Sequence, residues 1–415
     1  MTKAAPSTAP ARIERLDRED PLARYRDAFS LDPEMIYLDG NSLGALPKAT
    51  ADHVARVIAK EWGEGLIRSW NTHDWIGAPQ RIGAKIARLI GARPGEVIAT
   101  DSTSVNLFKL VGAATMVDPA RRTILSEQGN FPTDPYVMEG LEALVGRKVR
   151  LRLASAETLV SAIDQDTAAV VLTHVHYAAG RRWPMAQITN AAHAKGALMI
   201  WDLSHSAGAL AVDLNGVGAD MAVGCGYKYL SGGPGAPAFL FVAERHQSMI
   251  RSPLSGWMGH EAPFAFEDAY RPAVGIDRFL CGTPSILGLA ALEAGVDLLG
   301  EADMTGVEAK GLALPELFIA QARSRCPGLP LASPVEAEDR GLHLCYRHAD
   351  AYAVMQALIE RGVIGDFRAP DLLRFGFSPL YVSYRDVWRA VEILAEVLES
   401  GAFDDPRHRR RAAVT

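Results

Sequence analysis

The chain alternates short apolar runs with longer segments of mixed polarity over residues 85–242, as expected for strands alternating with helices. The apolar runs at 97–100, 168–175 and 197–202 predict buried strands. Residues 105–116 predict an apolar helix, because Ser102, Thr103 and Ser104 precede it and are good N-capping residue types. Short buried strands separated by helices indicate a mostly parallel sheet covered on both faces, which is an α/β fold.

The pattern changes to fewer, longer elements beyond Thr305. Helices are predicted at 307–324, 349–361 and 384–398, and strands at 341–347 and 372–377. These elements make a smaller α+β domain. We therefore predict an N-terminal segment at 1–60, a large domain at 61–300 and a small C-terminal domain at 301–415 that ends in a basic tail.

Composition excludes several classes of protein. Of the 415 residues, 48% are hydrophobic and 22% are charged, which are ordinary globular proportions. The 43 Lys and Arg residues against 49 Asp and Glu residues give a net charge of −6, so no broad cationic field exists to attract nucleic acid. The isolated basic run at 407–411 is expected to be a solvated tail without a function.

Targeting and redox signals favour a cytoplasmic protein. No apolar run reaches the ~18–20 residues that span a bilayer, and the first twelve residues, expected to be frayed, lack the apolar core of a signal peptide. The 4 cysteines show no close pairing, which fits a reducing compartment, and Cys326 is the one expected to be exposed. His174 and His176 share a face of a strand end, but no third ligand accompanies them, so no metal site is predicted.

Two groups at predicted strand ends carry the candidate chemistry. Asp202 closes the strand at 197–202, where it is either a helix N-cap or an anion directed into the strand-end cleft. Lys228 lies between two tyrosines, directly after a buried strand and before the glycine-rich run SGGPG. Desolvation of such a lysine favours the neutral amine, which is a nucleophile.

The glycine-rich run does not predict a nucleotide-binding P-loop, because the order GxxxxGK[ST] is absent and a strand follows. A carbonyl-reactive amine together with a carboxylate fits pyridoxal phosphate, whose ring nitrogen needs an acidic partner. Its phosphate needs a separate site. Thr103 and Ser104 at the mouth of the predicted helix offer hydroxyl and N–H groups and the positive end of the helix dipole.

These residues also lie in recognisable sequence runs. The order TSVN (103–106), FPTD (131–134), DLSHSAG (202–208) and GYKYLSGGPG (226–235) resembles the fold-type I pyridoxal phosphate enzymes of the class V aminotransferase group. Within that group the chain resembles the kynureninase family, through DGNSLG (39–44), SPLSGWMGH (252–260), CGTPSIL (281–287) and LLRFGFSPLY (372–381). The runs extend over residues 39–381 and therefore cover most of the chain.

The resemblance implies roles for individual residues. Lys228 would be the Schiff-base lysine, Asp202 the partner of the pyridine nitrogen, Phe131 the ring stacked on the cofactor and Tyr227 a proton relay. Arg374 would bind the substrate α-carboxylate through its planar fork, and Asn41, Ser42 and His73 would contribute to the substrate pocket. The implied cofactor site is completed by Thr103, Ser104, Pro132, Thr133, Asp134, Thr173, His205, Trp257 and Thr283, the last of which is Asn in some relatives.

The activity implied is the hydrolysis of L-kynurenine, with possible use of 3-hydroxykynurenine left open. A homodimer with a shared active site is also implied, with Trp257 or Thr283 reaching the neighbouring subunit. Alternatives are a cysteine desulfurase or selenocysteine lyase, a class V aminotransferase, and a non-catalytic scaffold that binds the cofactor.

Overall fold

A computed structural model describes residues 9–146 and 148–412. The chain forms two compact units. Unit 1 comprises residues 1–48, 178–181 and 302–415, and unit 2 comprises residues 49–177 and 182–301. The N-terminal segment predicted at 1–60 is therefore divided at Lys48 between the two units. Of the start expected to be frayed, residues 1–8 lie outside the described residues, and the expectation is wrong for residues 9–12, which are helical.

The elements are numbered here in chain order. The strands are β1 (Ile36–Tyr37), β2 (Val97–Ala99), β3 (Thr123–Glu127), β4 (Arg150–Ala154), β5 (Thr167–Thr173), β6 (Leu198–Asp202), β7 (Met221–Gly224), β8 (Phe239–Val242), β9 (His343–Arg347), β10 (Val363–Ile364), β11 (Asp366–Arg368) and β12 (Leu372–Gly376). The α-helices are α1 (Ala9–Glu19), α2 (Lys48–Arg56), α3 (Ser69–Thr72), α4 (Ala78–Leu89), α5 (Thr103–Val117), α6 (Thr133–Leu144), α7 (Met185–His193), α8 (Glu244–Gln247), α9 (Ile286–Gly300), α10 (Met304–Arg325), α11 (Ala351–Ile359) and α12 (Tyr384–Ser400). Each strand and helix predicted above is present, with ends that differ by a few residues.

Unit 2 is built on a seven-stranded sheet in the order β2-β8-β7-β6-β5-β3-β4. The strands from β7 to β4 pair in parallel, whereas β8 is antiparallel to both of its neighbours. The residues of β5 are all buried, as are those of β7 and β8, which explains why their sequences are mostly apolar instead of alternating; in β5 only the two end residues, Thr167 and Thr173, are polar. The predicted mostly parallel sheet is confirmed.

The helix α5 is held at its start by Ser102, whose hydroxyl oxygen accepts a hydrogen bond from the backbone N–H of Val105 at 3.4 Å. This is the capping role that the sequence predicts. Leu107, Leu110 and Val111 of α5 are buried in the main core with Ile98 of β2 and Val223 of β7. The apolar face of α5 therefore fixes the position of its N-terminus relative to the sheet.

Unit 1 contains the antiparallel sheet β11-β12-β9 and the parallel pair β1-β10. Helices α10 and α12 pack together, and a capping box between Ser383 and Asp386 starts α12. Phe318 of α10 contacts Phe375 of β12 with ring centroids 4.9 Å apart, which places aromatic packing at the centre of this unit. In the described parts of both units, no helix has the length and apolar composition needed to cross a membrane.

The basic run near the C-terminus is not simply solvated. His408 is buried, and its Nε2 lies 2.9 Å from the carboxylate of Glu360. Arg409 forms ion pairs with Asp350 and Asp404. The expectation of a solvated tail is therefore wrong for His408, which Glu360 holds in unit 1, whereas Arg409 is exposed beside its acidic partners.

Candidate active site

Three polar side chains of unit 2 meet beyond the carboxyl ends of its parallel strands. Thr173 and Asp202 are the last residues of β5 and β6, and they are direct partners in the register of these two strands. Asp134 lies in the first turn of α6, which follows β3. All three are buried, so the sheet brings together side chains that are far apart in the sequence.

The hydroxyl of Thr173 links the two carboxylates. Its Oγ1 lies 2.6 Å from Asn130 Oδ1, 3.3 Å from Asp134 Oδ2 and 3.4 Å from Asp202 Oδ2. A threonine hydroxyl carries one hydrogen, which it donates to the nearest of these acceptors, Asn130. A protonated Asp134 could itself donate a hydrogen bond to the Thr173 oxygen, which would account for the 3.3 Å contact between these two side chains.

Burial and the neighbouring charge of Asp202 raise the pKa of Asp134 well above its ordinary value. Asp202 is differently placed, because its Oδ1 accepts hydrogen bonds from the backbone N–H of Ser204 at 2.8 Å and from the Ser204 hydroxyl at 2.6 Å. Such bonds stabilise a carboxylate anion. The two carboxyls therefore differ in their surroundings, and Asp202, which accepts these two hydrogen bonds, is the residue that the resemblance implies as the partner of a pyridine nitrogen.

Lys228 is half-buried in the turn after β7, and its Nζ lies 3.2 Å from His205 Nε2. The same Nζ lies 5.8 Å from the ring centre of Tyr227. The turn needs Gly226, since a Cβ there would lie 2.2 Å from the carbonyl oxygen of Pro237. A close approach of two backbone segments thus presents the amine beside His205, as the resemblance implies.

Phe131 keeps 43% of its surface exposed, although its ring contacts Tyr177 at a centroid distance of 5.3 Å. The side-chain oxygen of Asn130 accepts a hydrogen bond from the backbone N–H of Phe131 at 2.8 Å. Asn130 therefore holds Phe131 while it also contacts Thr173 and Asp134. The sequence analysis missed Asn130, although its place directly before the FPTD run was an available signal. Pro132 and Thr133 continue that run into α6.

A cavity of about 340 Å³ lies at the N-terminus of α5 and is lined by Thr103, Tyr227 and Thr283. The first N–H groups of a helix have no acceptor within the helix, and the helix dipole is positive at this end. Ser104 lies in the same first turn. Hydroxyl groups, backbone N–H groups and a positive dipole make a set of donors that fits a phosphate group.

Two predicted residues of unit 2 lie at exposed positions. Trp257 is 39% exposed and contacts Phe264 at a centroid distance of 5.6 Å. His73 is exposed directly after α3. Within the described residues, no hydrogen bond, ion pair or ring contact joins either side chain to Lys228 or to the carboxylate pair.

Unit 1 holds the remaining candidates, grouped around Arg374 on β12. Arg374 is only 1% exposed, and its Nε donates a hydrogen bond to Asp366 Oδ1 at 2.7 Å. Its Nη2 donates to the second oxygen of Asp366 and, at 2.8 Å, to the hydroxyl of Ser42. Arg368 also donates to Asp366, at 2.6 Å. One edge of the Arg374 fork is thus engaged by a protein carboxylate.

Asp366 was missed by the sequence analysis, because only the cross-strand register of β11 and β12 places it opposite Arg374. Burial would raise the pKa of Asp366, but the hydrogen bonds and charge of Arg374 and the charge of Arg368 outweigh it and hold this pKa below its ordinary value. Asp366 is therefore an anion that orients Arg374.

The DGNSLG run approaches the same group. Asn41 is 1% exposed, and neither atom of its side-chain amide has a hydrogen-bond partner among the described residues. Gly376 allows this approach, since a Cβ there would lie 1.7 Å from Asn41 Oδ1. A buried amide without partners is costly, so Asn41 is suited to bind a polar group of a ligand.

The cysteines do not provide an accessible thiol of the kind expected at Cys326. Cys326 is buried, and burial raises its pKa to about 11. Burial also raises the pKa of Cys345 to about 12 and that of Cys225 above its ordinary value. Cys281 is half-buried, with its sulfur 3.7 Å from Asp101 Oδ1. The expectation of an exposed Cys326 is wrong, because the turn into Pro327 packs against its unit.

Comparison with known proteins agrees with this geometry. The family model "Kynureninase C-terminal domain" matches residues 307–394. A kynureninase of Burkholderia pseudomallei is 51% identical over 96% of this chain and 98% of its own length. The chain belongs to the kynureninase family. A kynureninase of Pseudomonas fluorescens is 50% identical over the same shares of the two chains, and the family predicted from the sequence is confirmed.

Solved structures show the same fold at low sequence identity. A cysteine desulfurase of Thermococcus onnurineus superposes with a TM-score of 0.72 at 19% identity, covering 96% of this chain and 100% of its own. A cysteine desulfurase of Escherichia coli gives a TM-score of 0.77 at 19% identity, covering 91% of this chain and 98% of its own. These similarities concern the fold alone and confirm the predicted fold-type I class for this member of the kynureninase family.

Asp39, the first residue of DGNSLG, yields a prediction about pH. Burial and the charge of Asp366 raise the pKa of Asp39 from 3.8 to about 7. Below pH 4 the carboxyl is protonated in both the folded and the unfolded chain, so its burial does not lower the free energy of unfolding there. As the pH rises through 7 the buried carboxyl must also lose its proton, and this part of the stability is lost. We expect Asp39→Asn to reduce the fall in unfolding free energy between pH 4 and 8 by on the order of 3 kcal/mol.

The measurement is urea denaturation of the wild type and the variant across this pH range. Asp32→Asn, which changes an exposed carboxyl of the same segment, is the matched control and should keep the wild-type slope. An Asp39→Asn protein with the same pH slope as the wild type would contradict the prediction.

Proposed function

We propose that this chain hydrolyses the Cβ–Cγ bond of L-kynurenine to give L-alanine and anthranilate, with pyridoxal phosphate as the cofactor. The observation that carries the proposal is the position of the Lys228 amine, 3.2 Å from His205, in a chain that is 51% identical to kynureninases over nearly its whole length. Asp202 and the N-terminus of α5 belong to the same unit as Lys228. The three features supply an amine, an anion and a phosphate-binding helix end.

The residues present fit the cofactor, because the set of donors at Thr103, Tyr227 and Thr283 suits a phosphate and the Asp202 anion suits a protonated pyridine nitrogen. Pyridoxal phosphate supplies an aldehyde that takes up amines and a ring that accepts electrons from the carbon next to the amine. Phe131 would stack on that ring, and His205 would position the lysine amine.

Each polar residue has a task that its environment supports. Asp202 would hold a proton on the ring nitrogen, and neutral Asp134 would leave that proton with a single anionic partner. Lys228 would remove the Cα proton of the substrate, because its amine is freed when the substrate amine replaces it. Tyr227, next to Lys228 in the chain and lining the cavity, would return a proton to the alanine carbon after water has cleaved the side chain.

The substrate would be bound by residues of DGNSLG and β12. Arg374 would hold the α-carboxylate while Asp366 keeps its guanidinium in place. The Ser42 hydroxyl contacts both Arg374 and Asp366, so it would help to hold the Arg374 guanidinium in place. We propose that Asn41 binds a polar group of the substrate, and that His73 contributes to the substrate pocket.

A cysteine desulfurase, although it shares the fold, needs a reactive thiolate. Burial of Cys225, Cys326 and Cys345 raises the pKa of each thiol, which opposes this alternative. A class V aminotransferase would share the lysine and the aspartate, and a scaffold would need neither. No observation on this chain favours these alternatives over the proposed hydrolase.

The deciding experiment is to incubate the purified protein and pyridoxal phosphate with L-kynurenine and to detect anthranilate by its fluorescence. We expect anthranilate from the wild type and a loss of at least about a thousandfold in Lys228→Ala, since the residue that moves the proton is removed. Lys85→Ala is the control, because the Lys85 amine pairs with Glu293 and Asp297 of α9 and has no place in the proposed reaction.

Sulfide released from cysteine would instead identify a desulfurase, and a keto acid would identify an aminotransferase. Cofactor binding without any of these products would leave the scaffold alternative. A Lys228→Ala protein that retained wild-type turnover would overturn the assignment of the lysine.

Tyr227→Phe tests the proposed proton relay. Removal of the hydroxyl should lower kcat by about 10²-fold or more and change its pH profile, because a general acid is lost. The measurement is steady-state turnover of L-kynurenine between pH 6 and 9. Tyr229→Phe, which alters the other tyrosine beside Lys228, is the matched control. Full turnover with an unchanged pH profile would exclude the relay.

We also propose that the protein works as a cytoplasmic homodimer in tryptophan catabolism and NAD biosynthesis. The exposed aromatic side chains Trp257, Phe264 and Phe266 support a subunit interface in this part of unit 2. Light scattering of the active protein should give twice the mass of 44.7 kDa, and Phe266→Glu should shift the mass toward the monomer. A wild type that is fully active and strictly monomeric would contradict the dimer.

A further inference from the structure

Lys109 is a fully buried lysine that the proposed reaction does not use. It lies on α5, its side chain is 0% exposed, and its Nζ lies 2.5 Å from Asp101 Oδ2. The same Nζ donates a hydrogen bond to the carbonyl oxygen of Phe279 at 2.5 Å. Burial of an ion pair usually adds little to stability compared with an apolar side chain of similar volume, so stability alone does not account for this lysine.

Asp101, the partner of Lys109, is held in an unusual conformation. Its φ is +49°, which is rare for a residue other than glycine and costs about 1 kcal/mol or more. The backbone carbonyl of Asp101 accepts a hydrogen bond from Ala238 at 2.8 Å, and its carboxylate accepts one from the Thr100 hydroxyl at 2.9 Å. The surrounding structure thus maintains the strained backbone directly before the N-terminus of α5.

These contacts join the walls of the cavity at the start of α5. Asp101, Thr103 and Ala238 all line that cavity, together with Thr283. Thr283 is separated by only a few residues from Phe279, whose carbonyl Lys109 holds. The Lys109 ammonium group therefore connects Asp101, in the loop before α5, with Phe279, in the segment that leads to Thr283 in the cavity wall.

The charge of Lys109 also affects how the cavity would bind a phosphate group. Asp101 lines the cavity that we assign to a phosphate, and 24% of its side chain is exposed, while its carboxylate also contacts the Thr100 hydroxyl and the Cys281 thiol. Without a countercharge this anion would repel a phosphate group, and the repulsion would be strong where water is scarce. Lys109 neutralises the anion from the protein side, where the lysine itself occupies no space in the cavity.

We propose that Lys109 is a positioning residue for the phosphate group of the cofactor, acting through Asp101 and the Phe279 carbonyl. The inference rests on one part of the proposed function, namely that pyridoxal phosphate is the ligand of this cavity. It explains why a buried charge is kept on an apolar helix, and it assigns Asp101 a role that depends on the lysine beside it.

The test compares binding of pyridoxal phosphate with binding of pyridoxal, which lacks the phosphate, to cofactor-free protein by absorbance titration. Lys109→Met should raise the Kd of pyridoxal phosphate by about tenfold or more, because the negative charge of Asp101 then has no countercharge beside the phosphate site. The Kd of pyridoxal should change less than about twofold. The double variant Lys109→Met, Asp101→Asn should recover most of the lost affinity, because the amide removes the charge and tolerates the same φ.

Lys310→Met is the matched control. Lys310 is also buried, and its Nζ contacts Asp20 and the Pro379 carbonyl, each at 2.7 Å, in unit 1. This variant should lower the melting temperature without changing the ratio of the two Kd values. Lys109→Gln keeps a donor toward Phe279 and removes the charge, so it provides the same measurement if Lys109→Met does not fold.

Equal weakening of both ligands in the Lys109 variants, or no change in the ratio, would overturn the inference while leaving the proposed reaction intact. Failure of the double variant to recover affinity would overturn the electrostatic role of Asp101. A wild type that binds pyridoxal phosphate in preference to pyridoxal but forms no anthranilate would contradict the proposed reaction alone.

Discussion

The buried carboxylate of Asp202 imposes the main constraint on this structure, because an anion at the end of a core strand is stable only with strong hydrogen bonds and without a second anion nearby. Ser204 supplies the bonds from the next turn of the chain. The Thr173 hydroxyl lies within 3.4 Å of both Asp202 and Asp134, and burial together with the charge of Asp202 raises the pKa of Asp134.

The same principle of local charge balance recurs at two other places. Arg374 is buried against Asp366, with Arg368 and Ser42 around the same carboxylate. Lys109 of α5 is buried against Asp101. In each case a buried charge has a protein partner that sets its orientation, since an unpartnered charge in such surroundings would move, take up or lose a proton, or bind water.

The sequence predictions agree best with the structure where the role of a side chain depends on the neighbouring residues of its own strand or helix. Asp202 was expected at a strand end and Ser102 at a helix start, and both are found there, because strand burial and helix capping depend on residues within a few positions. The expectation for Cys326 was wrong and that for the basic run at 407–411 was wrong in part. Exposure depends on which distant elements pack against a segment, and Glu360 and Asp350 are such distant partners.

The sequence by itself determined the α/β class, the strand and helix pattern and the family, since apolar periodicity and ordered motifs are local properties of the chain. It also identified Lys228 and Asp202 as candidates by residue type and position, and the family resemblance added Arg374. Only the tertiary structure decided that Thr173 contacts Asn130, that Ser42 contacts Arg374 and that Lys109 holds the Phe279 carbonyl. Strand register and helix packing create these contacts, and neither is encoded in any one segment of the chain.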